Sequence, residues 1–569
     1  CISAITQTDV NDYYSLNGHL AVADGLHAYA VAYDWLYNYM TPEQRTALYD
    51  EIIEFMDWLY EDSVDGKPYE PLPMSSNHNS VHHGALGLAA LVVSTNVTAE
   101  LNRAAAYTEG YYRYARDATG YNSEGIGYYG YGSLGAVPFS VAYARAGYGS
   151  LIDENQKNQR VAEYVLRFVQ PWGGSVVALN DSNDLAVGGG MMEFISRYQD
   201  GVGLWAWLKM FGPDGDGTYS GPDNTSYTGM GCTIPYVILF ADETLQPLSP
   251  EDAGLPLGKF FDRGTGAFRS SWADDGALAT FTCGPDIHRG HNHRDEGSFT
   301  FSAFGEYFVI DPGYDPYMGR AHNCVTVNGV DQDKEADEYD TYGLMLDSKD
   351  FGDGWYMKGD ATEAYPDALN LNHAIRQFMF VKAPQPYMMI RDDIEGTGTN
   401  DFSWLLHAGK NSVVTPGATA GEFYLEGDAV GGAVCFVKFL GATQDLTFAE
   451  TDLSGETFNN SLGSPKYFSN YFREFSVNYT GVNPKFTAVL IAAESMAELP
   501  EIGSLQTTSG LLVQIEFPDV GIEDEILISD ETMDFQRLGG DAAQSGEPSI
   551  ASESVPVFFL QDVMPANES

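Results

Sequence analysis

The hydrophobic pattern of this 569-residue chain changes once, from helical spacing to strand alternation. In about the first 240 residues, apolar side chains recur three and four positions apart, as at Leu48, Ile52 and Phe55. That spacing puts them on one face of a helix. After residues 252–266, apolar and polar residues alternate in short runs separated by Gly, Asp and Asn, which is typical of antiparallel strands.

This change predicts an α+β protein of more than one domain. We expect a helical domain over residues 1–250 and an antiparallel β-sandwich over 251–569, with room for a smaller C-terminal β subdomain from about residue 450. Helix signals in the first domain include a capping box at Thr41–Gln44 and apolar runs at 85–93 and 202–211.

The charge of the chain restricts its partners. Asp and Glu number 80 against 29 Lys and Arg, which gives a formal net charge of −51. A surface this acidic repels nucleic-acid phosphates and anionic lipid headgroups, so we expect no nucleic-acid partner. No apolar run reaches the length of a membrane-spanning helix, and the five cysteines form no CxxC motif.

Histidines cluster in two short windows of the sequence. Of 11 in the chain, most fall at His78, His82, His83, His288, His291, His293 and His322. Imidazole suits proton transfer near neutral pH and metal binding, so the clustering indicates a chemical site. In the first window, Asn77 and His78 offer amide and imidazole donors to an anionic oxygen. We interpret Asn79 and Ser80 instead as N-cap residues of a helix that begins near Ala85.

The second window predicts a metal site. If residues 291–293 are extended, His291 and His293 point to the same side of the strand. His293, Asp311 and His322 then converge as two imidazoles and a carboxylate, a ligand set that suits Zn²⁺. A hydrogen-bonded His/Asp network in a hairpin is the alternative interpretation of these residues.

A third segment, residues 121–132, is rich in Tyr and Gly. Tyrosine rings in such a loop can stack against the faces of sugars, because each ring has an apolar face and a polar edge. For Tyr129 and Tyr131 the alternative is simple packing over the helical core.

Several motifs in one order resemble the heparinase II/III superfamily of polysaccharide lyases. In the helical region they lie at 30–36, 41–44, 77–78 and 124–128. In the β region they lie at 290–299, 303–306, 311–313, 321–323 and 404–407, and these are the most specific. The resemblance covers roughly residues 20 to 450. It implies an incomplete (α/α) toroid followed by an antiparallel β-sandwich.

The resemblance implies β-elimination at 4-linked uronic acids of an anionic polysaccharide. Asn77 and His78 would neutralise the substrate carboxylate, which makes the adjacent C5 proton removable. Tyr128 and His291 would supply the acid and the base, in an order that the sequence leaves open. A tyrosine base needs a pKa below its usual value near 10, and we expect positive charge on His291 to lower it.

Other residues would bind the polymer or a metal. The substrate-binding candidates are Tyr131, Arg289 and Arg294. The resemblance implies one structural Zn²⁺ per chain, held by His293, Asp311 and His322. Fewer predicted helices precede the 77–78 motif than in most relatives, so either the toroid is shortened or upstream residues are missing from this chain.

Two other functions would use the same residues. A uronate C5-epimerase would return the C5 proton instead of expelling O4, and a non-catalytic protein would bind carbohydrate without turnover. The polymer itself is left open between alginate, heparan- or chondroitin-type glycosaminoglycans, and ulvan or other glucuronans. We expect a secreted, periplasmic or cell-surface protein, and the acidic coat fits secretion or a saline surrounding.

Overall fold

The computed structural model describes most of the chain. The described residues are 10–65, 74–153, 155–182, 188–212, 233–286, 291–314, 316–332, 341–419, 421–427, 432–441, 445–459 and 464–539. Two residues named above, His288 and the substrate-binding candidate Arg289, lie outside them.

The amino-terminal part is helical. Its α-helices are α1 (Val10–Leu36), α2 (Pro42–Asp65), α3 (Asn77–Val93), α4 (Thr98–Tyr114), α5 (Gly125–Arg145), α6 (Val161–Phe168), α7 (Met191–Arg197), α8 (Gly201–Phe211) and α9 (Thr233–Phe240). The capping box before α2 is confirmed, because the Thr41 backbone N–H donates to Gln44 Oε1 (2.9 Å) and the Gln44 N–H donates to Thr41 Oγ1 (3.3 Å).

Helix α3 is buried along almost its whole length and packs against α1, α4 and α5. Its contact with α5 is so close that a Cβ on Gly84 would lie 2.2 Å from the carbonyl oxygen of Gly135. Only glycine permits this approach of two backbones. The contact holds the first turns of α3 and α5, which carry Asn77 and Tyr128, side by side.

The start of α3 differs from the prediction. The N-cap is Ser76, whose Oγ accepts from the His78 backbone N–H at 3.2 Å, and the helix therefore begins at Asn77 rather than near Ala85. Asn79 and Ser80 are not caps but buried residues within the helix. The first histidine window is thus helical, because Ser76 offers the cap earlier than the pattern suggested.

The carboxy-terminal part consists of antiparallel strands. They are β1 (Gly258–Phe260), β2 (Thr265–Arg269), β3 (Ala277–Thr282), β4 (Pro285–Asp286), β5 (Phe299–Ala303), β6 (Glu306–Val309), β7 (Val325–Val327), β8 (Thr341–Tyr342), β9 (Leu344–Asp350), β10 (Gly354–Asp360), β11 (Leu371–Val381), β12 (Tyr387–Gly396), β13 (Asn400–Gly409), β14 (Val413–Pro416), β15 (Glu422–Glu426), β16 (Val434–Phe439), β17 (Thr447–Glu450), β18 (Thr457–Asn459), β19 (Pro465–Tyr467), β20 (Phe472–Gly481), β21 (Thr487–Ala493), β22 (Glu501–Gln506), β23 (Leu511–Phe517), β24 (Ile522–Ile528) and β25 (Met533–Gly539).

These strands form stacked sheets. An eight-stranded sheet has the order β14-β15-β16-β21-β12-β11-β10-β9. Sheets of order β1-β2-β3-β5-β6 and β17-β20-β13-β7 share one apolar core with it, and the sheet β22-β23-β24-β25 shares another. In β11, Phe378 and Phe380 enter the first core, whereas Met379 and Val381 enter the second. Successive side chains point to opposite faces, so a strand covered on both sides is apolar throughout.

The helices join the sheets at β2. Arg269 is buried, and its Nη2 donates to the carbonyl oxygens of Leu166 (3.0 Å) and Arg167 (3.3 Å) at the end of α6. Burial lowers the pKa of Arg269 to about 9. A guanidinium at this point satisfies helix carbonyls that have no partner within the helix. These hydrogen bonds connect the helical part of the chain to the sheets.

The predicted order of a helical region followed by antiparallel β sheets is confirmed. Among the described residues, the last α-helix ends at Phe240 and the first strand begins at Gly258. None of the helices in the described ranges has the length and apolarity needed to cross a bilayer.

Candidate active site

Glu124 orients Asn77 where α3 and α5 begin. The Asn77 backbone N–H donates to Glu124 Oε2 (2.7 Å), and its side-chain Nδ2 donates to Glu124 Oε1 (3.1 Å). Both residues are buried, and burial raises the pKa of Glu124 to about 7. The backbone bond anchors the Glu124 carboxylate and the Nδ2 bond orients the Asn77 side-chain amide, which makes Glu124 a positioning residue.

His78 is half-buried beside Asn77, at the next position of α3. Burial, and after it the nearby His291, lower the pKa of His78 to about 4. Its imidazole is therefore neutral near pH 7 and acts on an anionic ligand through an N–H donor rather than a full charge.

Tyr128 and His291 stack across the junction of the helices and the sheets. Their ring centroids are 3.4 Å apart, with an angle of 14° between the ring planes. The Tyr128 hydroxyl is hydrogen-bonded to the hydroxyl of Tyr314. Burial, followed by that hydrogen bond, raises the pKa of Tyr128 above its ordinary value. The expectation that His291 lowers this pKa is wrong, because burial raises it most and the neighbouring carboxylates of Asp181 and Glu124 raise it as well. Tyr128 is therefore a protonated phenol near neutral pH.

Asp181 holds two histidines of the second window. His291 Nδ1 lies 2.7 Å from Asp181 Oδ2, and His293 Nε2 lies 2.9 Å from Asp181 Oδ1. Although burial opposes it, hydrogen bonds from both histidines bring the pKa of Asp181 to about 2. The carboxylate is ionised and accepts both N–H bonds. In a neutral His291 with hydrogen on Nδ1, the lone pair then lies on Nε2.

The backbone of the second histidine window is not extended. The prediction that His291 and His293 point to the same side of a strand required an extended backbone. His291 has a φ of 67°, in the left-handed region, and the described residues before β5 form no strand there. His291 and His293 nevertheless converge, because both reach the same Asp181 carboxylate. The two side chains come together because they share the Asp181 carboxylate as a hydrogen-bond partner, and not because they alternate along a strand.

His293, Asp311 and His322 meet as predicted and could hold a metal ion. One ligand atom from each lies within 4.8 Å of the others. Among the described residues, His293 Nδ1 and His322 Nε2 are buried without a hydrogen-bond partner. Buried nitrogens of this kind are rare unless an ion or water satisfies them, so the donor set fits a divalent metal. A His/Asp hydrogen bond of the kind expected in the alternative interpretation is also present, since His322 Nδ1 and Asp311 Oδ2 are 2.9 Å apart.

The other predicted site residues lie around this cluster. The Tyr131 ring is half-buried, 6.5 Å from that of Tyr128 between centroids, and its hydroxyl donates to Asp24 Oδ2 at 3.3 Å. The Arg294 guanidinium lies 5.8 Å from the centroid of the Tyr317 ring. Tyr129 is fully buried, so for this residue the packing interpretation is correct.

Sequence reasoning missed three residues of the site. Asp181 lies in the polar run 180–184, which is a signal of a functional loop between apolar segments. Glu124 begins the motif at 124–128 and Tyr314 follows the motif at 311–313, but nothing in those motifs points to their partners. The contacts that reveal their roles join residues far apart in sequence, at separations of 47, 110 and 186 positions.

Residues 256–457 match the family model of the heparinase II/III-like C-terminal domain. The resemblance to the heparinase II/III superfamily is confirmed. Heparinase III has a similar solved structure, with a TM-score of 0.61 and 14% identity over 91% of this chain and 75% of that one. The heparan sulfate lyase HepC of Pedobacter heparinus gives 0.56 and 15% over 90% and 74%. A mutant chondroitin AC lyase of Streptomyces coelicolor A3 gives 0.51 and 12% over 90% and 72%.

These similarities establish a heparinase-like fold. No curated protein matches the sequence. At such low identities the likeness extends to the fold, and the chemistry has to be argued from the site itself.

Proposed function

We propose that the protein is a polysaccharide lyase that cleaves 4-linked uronic-acid-containing anionic polysaccharide by β-elimination and leaves 4,5-unsaturated uronate ends. The observation that carries this proposal is the stack of Tyr128 on His291, with ring centroids 3.4 Å apart. It brings a protonated phenol and an imidazole lone pair to one place, as a paired acid and base require. The heparinase II/III-like match of residues 256–457 supports it.

The first task of the site is to make the C5 proton acidic. A uronate carboxylate resists the extra negative charge that forms when C5 loses its proton. Donors aimed at that carboxylate stabilise the enolate-like intermediate, most strongly where water is excluded. Asn77, held by Glu124 at 2.7 and 3.1 Å, and the neutral His78 would supply these donors.

The second task is the transfer of two protons. His291 Nε2 would accept the C5 proton, because Asp181 engages Nδ1 at 2.7 Å. The C5–H electrons would form the C4–C5 double bond as the C4–O4 bond breaks, and the Tyr128 phenol would protonate O4. Tyr314, hydrogen-bonded to that phenol, would assist its reprotonation by solvent. The assignment of acid to Tyr128 follows from its raised pKa.

The metal would act on structure. Bound Zn²⁺, one per chain, would hold His293, Asp311 and His322 together, and His293 would in turn keep Asp181 in place. Tyr131, Arg289 and Arg294 would bind the polymer. We further propose that the chain has two domains, over residues 1–250 and 251–569. The proposed location of the protein is secreted, periplasmic or at the cell surface.

A panel of uronate polymers tests the function. The protein is incubated in deuterated buffer with alginate, heparan sulfate, chondroitin sulfate or ulvan, while near-ultraviolet absorbance and deuterium at C5 are followed. A lyase produces a rise in absorbance on at least one polymer, and Tyr128→Phe abolishes that rise. Deuterium at C5 without absorbance would identify an epimerase, and polymer binding with neither signal would identify a carbohydrate-binding protein.

A further inference from the structure

His78 contacts a histidine that the catalytic scheme does not use. His19 Nε2, on helix α1, lies 3.2 Å from His78 Nδ1, and the two ring centroids are 5.2 Å apart. His19 is 3% exposed. Its neighbours in α1 are mostly apolar or aromatic, and a buried imidazole among them costs free energy unless it is hydrogen-bonded.

Both imidazoles are neutral at physiological pH. Burial, followed by the proximity of His78 and His82, lowers the pKa of His19 to about 3, and the pKa of His78 is lowered to about 4. Each neutral ring has one N–H and one lone pair. At a nitrogen–nitrogen distance of 3.2 Å, one ring donates to the other, so this contact couples the tautomer of His78 to that of His19.

We infer that His19 is a positioning residue that donates its Nε2 hydrogen to His78 Nδ1 and thereby keeps His78 in the Nε2–H tautomer. The inference rests on the proposed function for its purpose. A substrate carboxylate carries only acceptors, so a facing imidazole nitrogen has to bear a hydrogen. If His78 Nδ1 instead donated a hydrogen to His19 Nε2, His78 Nε2 would carry a lone pair, which would repel the carboxylate.

The surroundings of His19 hold it in this position. His82 lies one helical turn after His78 on α3, and its ring centroid is 5.8 Å from that of His19. His82 is itself fixed in one tautomer, because its Nε2 donates to the carbonyl oxygen of Leu59 at 3.0 Å. His19 therefore packs against two imidazoles of the same helix face, which limits the rotation of its ring.

The tautomer can be measured without substrate. The protein is labelled with ¹⁵N-histidine, and the His78 signals are assigned from their loss in His78→Gln. At pH 7, two-bond ¹⁵N–¹H correlations distinguish a protonated Nε2 from a protonated Nδ1. We expect wild-type His78 to carry its hydrogen on Nε2. His78 found with its hydrogen on Nδ1 overturns the inference without any variant.

Two substitutions of His19 test the cause. His19→Met removes the donor, and we expect the His78 tautomer to become mixed and kcat to fall about tenfold with a smaller change in KM. His19→Gln restores an amide donor and recovers most of kcat. The matched control is His373→Gln, a partly exposed residue paired with Asp393 at 2.8 Å, which leaves both readouts unchanged. An unchanged tautomer in His19→Met refutes the inference.

The outcomes separate this inference from the proposed function. If His78 holds its Nε2–H tautomer through His19 but no polymer yields unsaturated product, positioning stands and the lyase proposal fails. If product forms and the tautomer of His78 does not depend on His19, the lyase proposal stands and the positioning role of His19 is refuted.

Discussion

Asp181 Oδ2 lies 2.7 Å from Nδ1 of His291. The other oxygen of that carboxylate lies 2.9 Å from Nε2 of His293. One aspartate from the helical part of the chain therefore orients the proposed base and a proposed metal ligand at once. Because the base and the metal site share this residue, disturbing either is expected to affect the other.

Replacing Asp181 tests that coupling. Asp181→Asn keeps the size of the side chain but offers only one acceptor, so His291 and His293 cannot both keep their hydrogen bonds. We expect kcat to fall about 10- to 100-fold together with weaker metal retention. Turnover of a cleaved polymer and elemental analysis measure the two effects. Asp274→Asn, at an exposed aspartate paired with Lys209, is the control and changes neither.

Removing the Tyr128 hydroxyl tests the acid. Tyr128→Phe is expected to lower kcat about 10²- to 10⁴-fold without unfolding the protein, because the stacked ring remains. Tyr314→Phe, which removes only the hydrogen bond to Tyr128, is expected to cost about tenfold. The exposed Tyr148→Phe serves as control. Full activity in Tyr128→Phe would exclude it as the acid.

The metal site predicts a stoichiometry. Elemental analysis of the purified protein is expected to give about one zinc per chain. His322→Ala and His293→Ala are both expected to lose the ion and to lower the melting temperature, because a bound structural metal contributes to the free energy of folding. His373→Ala retains it. Stoichiometric zinc in both site variants would place the ion elsewhere.

Glu124→Gln tests the orientation of Asn77. The amide NH₂ of glutamine faces one of the two Asn77 donors, so one hydrogen bond of 2.7 or 3.1 Å is replaced by a repulsive contact. We expect kcat to decrease at least about tenfold, with a smaller effect on KM and no loss of metal. Steady-state kinetics provide the measurement. Glu109→Gln, which breaks an exposed pair with Arg113, keeps normal kinetics.

The buried histidines predict how stability depends on pH. Burial lowers the pKa of His82 to about 4 from its ordinary value of 6.5. Between these values the unfolded chain binds a proton that the folded chain does not, so the free energy of unfolding falls as pH falls from 6.5 toward 4. For His82 alone this amounts to about 2 kcal/mol between pH 6.5 and 5.

His82→Gln isolates that contribution. The glutamine amide can still donate to the Leu59 carbonyl but does not titrate. Urea denaturation at several pH values is expected to give a shallower acid decline for the variant than for wild type. Identical slopes would show that His82 is protonated in the folded state or does not differ between states.

The sequence alone determined that a helical region precedes antiparallel sheets, and it determined part of the site. The change of hydrophobic period predicted helices followed by antiparallel sheets, and Thr41–Gln44 predicted the start of α2, because these signals are local. The grouping of His293, Asp311 and His322 was also predicted correctly, since the three lie within one short stretch of the chain.

Only the tertiary structure decided which residues of the site contact each other and how they are protonated. Asp181, Glu124 and His19 reach their partners from distant segments, and no local pattern encodes such contacts. The raised pKa of Tyr128 contradicted the expected lowering, because desolvation depends on what the fold packs around a group rather than on its neighbours in sequence. Periodicity follows from the backbone geometry of a single segment, whereas protonation and hydrogen-bond direction arise only when several segments exclude water together.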